Sequence, residues 1–67
     1  MQKITACWNT RNEEAFIGYS IMSVKNIADE FIVVDHGSTD NTKGVIADCE
    51  QLLGKHIKVV DLVVRSL

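Results

Sequence analysis

The segment FIVVDHGSTDNT, residues 31–42, decides the fold. Four consecutive apolar positions, Phe31, Ile32, Val33 and Val34, leave no polar alternate, so this run suits a β-strand covered on both faces. Asp35 then ends it, and Gly37, Ser38, Thr39, Asp40 and Asn41 are turn and cap residues that lead into a helix. Working outward, Val45, Ile46, Cys49, Leu52 and Leu53 form one helical face that stops at Gly54. The start of that helix lies somewhere in Ser38 to Thr42, and Ile57 to Val60 forms a further strand. Upstream, Ile4 to Trp8 reads as a buried strand, and Ile17, Ile21, Val24 and Ala28 recur at helical spacing, with Phe16, Ser20 and Ile27 widening the stripe. Thr10 and Glu13 have the T-x-x-E spacing of a capping box, Asn12 is an alternative cap, and Ala28-Asp29 is the expected end of the helix.

The resulting order is strand, helix, strand, helix, strand. With right-handed crossovers it gives an α/β unit of three parallel strands, ordered 3-2-1, with both helices on one side. Isoleucine and valine together number 15 against 4 leucines, a bias that fits a pleated sheet. One sheet face is left bare, and the second strand has apolar side chains on both faces, so a covering layer is expected: the other half of a nucleotide-binding domain, a second copy or a partner chain.

Length and composition restrict the function. Sixty-seven residues hold at most one small core. Seven Lys and Arg against nine Asp and Glu leave no basic excess for a phosphate backbone, which excludes nucleic acid as a natural partner. No apolar run approaches the roughly 20 residues of a membrane helix, and the first residues do not have a secretory pattern, so the expected location is the cytoplasm. Cys7 and Cys49, 42 positions apart in apolar patterns, read as two buried, reduced thiols. His36 and His56 lie in different elements and have no closely spaced second ligand, so no metal site is expected in this chain.

Ligands of open parallel sheets bind beyond the carboxyl ends of the strands. Residues 9–14 follow the first strand there, residues 35–40 the second, and Asp61 closes the third. Gly37 would turn the backbone away and leave the Asp35 carboxylate accessible as a fixed acceptor for an imide N–H of a nucleobase. The alternative is that these are only turn and cap residues. The four glycines, Gly18, Gly37, Gly44 and Gly54, form neither a dinucleotide fingerprint nor a P-loop, and Ser38 is not in a GxSxG elbow. Trp8 reads as core, and Asp48 and Glu50, which diverge around their helix, as a solvated face.

The residue 31–42 run resembles the VVDDGSTD-type nucleotide-binding segment of family 2 glycosyltransferases with the GT-A fold. Residues 10–14, TRNEE, resemble that family's YNEE-type segment at a typical separation. The resemblance covers nearly the whole chain but only the amino-terminal part of such a domain, so residues 1–67 read as a single partial domain. It implies a nucleotide-diphosphate sugar as ligand, bound weakly, with Asp35 contacting the nucleobase and Glu13 helping to hold the nucleoside. Arg11 stands where a base-stacking tyrosine is frequent, Thr10, just before it in the same segment, is counted with it among the nucleotide-binding residues, Asn12 is structural, and His36 replaces a second aspartate. The family's later D-x-D pair, which holds a divalent metal (Mg or Mn) on the diphosphate, and its general base have no counterpart here. A divalent metal is therefore expected only in a complete member, and the isolated chain is expected to be inactive. The alternative of another class is a small α/β interaction or oligomerisation module that docks through its bare sheet face. The tail, residues 62–67, has no functional reading.

Overall fold

A computed structural model describes residues 2–62. The elements are β1 (Thr5–Thr10), α1 (Glu14–Ser23), β2 (Glu30–Asp35), α2 (Thr42–Leu53) and β3 (Ile57–Asp61). All strand pairs are parallel and β2 is central, which is the 3-2-1 order expected from right-handed crossovers. The register aligns Thr10 with Asp35 and Asp35 with Asp61, so the three strands end together at one edge.

Alternation along β2 decides which face is the core. Phe31 and Val33 are buried with Ile17 and Ile21 of α1 and Ile46 and Cys49 of α2. Trp8 packs there as expected: its ring is stacked with Phe31 at a centroid distance of 6.2 Å, and its Nε1–H donates to Ser20 Oγ at 2.8 Å. Ile32, Val34 and Val60 point to the other face and are only half-buried, as a bare sheet face requires.

Four local expectations are corrected. Cys7 is exposed, because its position in β1 puts it on the bare face beside Ile32; only Cys49 is buried. Phe16 and Ile27 are 72% and 61% exposed, so they do not widen the core stripe. Helix α1 ends at Ser23 rather than near Ala28, since the N–H groups of Val24 and Lys25 fall back on the carbonyls three residues earlier. The chain then enters β2 through Asp29, whose N–H donates to the Ile4 carbonyl at 2.8 Å and whose carboxylate accepts the Ile4 N–H at 2.9 Å.

The fourth concerns the start of α1. Thr10 stays extended in β1, and Glu13 is the N-cap without a side-chain cap bond, so no capping box forms. The free N–H groups are met from across the sheet edge instead: Glu13 N–H donates to Thr42 Oγ1 and Glu14 N–H to Asp40 Oδ2. Helix α2 ends as expected at Gly54, whose φ of 67° is left-handed. Glu50, read as solvated, accepts the Ile57 N–H at 2.7 Å and pairs with His56, which pins the turn into β3.

Candidate functional site

The two loops that leave β1 and β2 at the aligned strand ends are tied into one unit. Asn12 has a φ of 52°, a left-handed conformation that asparagine tolerates better than most residues. This turns its side chain onto the second loop, where Oδ1 accepts the N–H of Thr39 at 2.7 Å and that of Asp40 at 3.3 Å. Its own N–H donates to Ser38 Oγ at 2.9 Å. Asn12 thus ties the two loops together.

Asp35 does not present a free carboxylate. It is 0% exposed, and its two oxygens accept the backbone N–H and the hydroxyl of Ser38. The reason is parity: Asp35 shares the core-facing side of β2 with Phe31 and Val33, so its side chain turns inward and the Gly37 turn folds Ser38 over it. The expected accessible acceptor is corrected to a buried anchor of the loop. Thr10, its neighbour in the register, is 2% exposed, and its Oγ1 has no hydrogen-bond partner among the described residues.

The exposed groups at this edge are different. Arg11 and Glu13 are both exposed on the first loop. His36 is half-buried; its N–H donates to the Thr10 carbonyl at 2.8 Å and its Nε2 lies 3.0 Å from Asn9 Oδ1. On the far side, Lys43 pairs with Asp61 at 2.6 Å. That hydrogen bond holds the Lys43 ammonium above its ordinary range, and the charges of Asp61 and Asp35 add to it. Lys43 was missed by sequence reading because nothing in its local pattern signals a partner 18 positions away. Asp40 is held below the ordinary carboxylate range, first by the Thr42 hydroxyl and then by the N–H groups of Thr42 and Glu14.

Among the described residues the edge therefore offers the Arg11 guanidinium, the Glu13 carboxylate, the His36 imidazole and the Lys43–Asp61 pair around a hydrogen-bonded double loop. Among the described residues there is no group of three His, Cys, Asp or Glu that could hold a metal ion. No helix among them is long and apolar enough to cross a membrane.

The glycosyl transferase family 2 model matches residues 6–66, and the chain belongs to that family. An uncharacterized glycosyltransferase of Rickettsia felis is 54% identical over 57 residues, which is 85% of this chain and 19% of that protein. One from Rickettsia typhi is 60% identical over 42 residues, covering 63% of this chain and 14% of its own length. The chain thus spans less than a fifth of these relatives. Among solved structures, glucosyl-3-phosphoglycerate synthase of Mycobacterium tuberculosis, in complex with Mn²⁺, uridine diphosphate and glucosyl-3-phosphoglycerate, is 33% identical with a TM-score of 0.64. That match covers 90% of this chain and 21% of the synthase, so the α/β unit is similar to part of a GT-A enzyme.

Proposed function

We propose that this chain is the nucleoside-binding part of an enzyme that transfers a sugar from a nucleotide-diphosphate sugar to an acceptor. The observation that carries the reading is the double loop. In a family 2 chain, Asn12 locks the segments after β1 and β2 into one rigid edge, the place where open parallel sheets bind ligands. The synthase with the similar fold was solved with uridine diphosphate.

In this reading the Arg11 guanidinium stacks on the base and the Glu13 carboxylate accepts from the nucleoside. Asp35 and Thr10, both buried, act on the ligand by shaping the loop floor rather than by exposed contact. In this reading a divalent metal on the leaving diphosphate would be held by the D-x-D pair of a complete family member, a pattern this sequence does not contain. The 67-residue chain accordingly binds nucleotide weakly and transfers no sugar by itself. A cytoplasmic location accords with two cysteines that are free thiols, one of them exposed.

Amide shifts on titration with uridine and guanosine diphosphates and their sugars test this directly. Arg11, Asn12 and Glu13 should move at millimolar nucleotide, and Arg11→Ala or Glu13→Gln should weaken the response several-fold. Silence of that edge at saturating nucleotide would sink the reading. A second reading, an interaction module, is favoured by the bare face of Cys7, Ile32, Val34 and Val60, which a second copy or a partner chain would cover.

A further inference from the structure

A second apolar surface lies on the outside of the helical layer, away from both the strand-end edge and the bare sheet face. Helices α1 and α2 enclose an open groove of about 630 Å³ whose walls include Tyr19, Met22, Val45 and Leu52. Tyr19 and Leu52 are 81% and 75% exposed, although both are large. Gly18 deepens the floor, because a Cβ there would stand only 3.1 Å from Val45 Cγ1. Isolated exposed apolar side chains are ordinary, but several lining one groove mark an interaction surface.

Charge selects the occupant. Glu14 and Asp48 are the charged residues of the lining, and both are acidic. Neither carboxylate has an ion-pair partner among the described residues, whereas Asp61, Glu30 and Glu50 all do. A second copy docking through the same groove would bring these carboxylates together with their own kind. A basic partner would neutralise them. The groove follows α1, whose 10 residues span about 15 Å, the length of two to three turns of a guest helix.

We propose that this groove binds a short amphipathic helix of a partner protein, with an apolar stripe seated between α1 and α2 and lysine or arginine against Glu14 and Asp48. Helix-in-groove recognition uses this combination of apolar anchors and flanking charge. The groove uses none of Thr10, Arg11, Glu13 and Asp35; Glu14 is its one residue from the segment that follows β1.

Two synthetic helix-forming peptides with the same leucine stripe, one flanked by lysines and one by glutamates, are the probes, titrated into the ¹⁵N-labelled chain. The lysine peptide should shift the amides of Tyr19, Met22, Val45 and Leu52 and leave the β-strand residues still. Its affinity should fall about tenfold in Glu14→Lys/Asp48→Lys, as expected for two exposed charge pairs, and that variant should prefer the glutamate peptide. Should Glu14→Lys disturb the start of α1, Asp48→Lys alone gives the same sign with a smaller change, and Leu52→Ser should weaken the lysine peptide without altering the fold. Equal affinity for the two peptides, no binding of either, shifts centred on Cys7, Ile32 and Val34, or self-association that Leu52→Ser abolishes would each overturn the proposal.

Discussion

Ser38 is the residue on which the strand-end edge depends most, because it donates twice to a fully buried carboxylate and accepts from Asn12. Ser38→Ala leaves Asp35 with one donor and the Asn12 N–H with none, which should cost about 1–3 kcal/mol in urea unfolding. Asp40 gives the edge a pH dependence of known sign. Its carboxyl is held below the ordinary range, so its stabilisation is full above the unfolded value and is lost as pH falls through the lower, folded one. Asp40→Asn should therefore flatten the acid limb of the stability profile and leave the neutral region's slope unchanged. The two thiols should also separate. Cys49 is buried, and burial, aided by the Asp48 charge, pushes its thiol above the ordinary range, whereas Cys7 is exposed. Alkylation followed by mass spectrometry should label Cys7 first; equal rates would contradict the placement. Which residues crowd this edge was legible in sequence, since polar residues cluster after each strand. That Asp35 turns inward was not, because the direction depends on which sheet face the helices cover.

At the scale of elements, each helix is positioned mainly by what lies outside it. The N-terminus of α1 takes its acceptors from Thr42 and Asp40, and the end of α2 is joined to β3 through Glu50. A T-x-x-E spacing pointed to a local cap, but β1 needs Thr10 in extended form, and strand pairing with Asp35 wins. Gly54 is a position where local and global demands agree. Gly54→Ala forces a Cβ into the left-handed region and should lower stability by about 1 kcal/mol, read from the midpoint of thermal or urea unfolding. Ile21→Ala removes a side chain that is 0% exposed at the centre of the helix–sheet contact. A loss of about 2–5 kcal/mol is expected, and since small domains have little reserve, circular dichroism should show a substantially unfolded chain at ambient temperature. A native-like spectrum would mean that the core lies elsewhere.

At the scale of the whole molecule, three strands with helices on one side leave Cys7, Ile32, Val34 and Val60 without a second layer among the described residues. Sedimentation at several concentrations should show association through this face, which Val34→Lys would reduce; a strictly monomeric, well-folded chain would show that the face tolerates water. A sugar-transfer assay with nucleotide sugars and Mn²⁺ should give no turnover for the 67-residue chain, and measurable transfer would show that the chain is active without the family's D-x-D pair. The strand–helix alternation, the parallel order and the family's two segments follow from local pattern, because apolar periodicity and turn chemistry act over a few residues. The burial of Asp35, the exposure of Cys7 and Phe16, the cross-loop cap of α1 and the acidic groove between the helices depend on packing between elements far apart in the chain. Side-chain parity becomes inside or outside only when a second layer covers one face of the sheet.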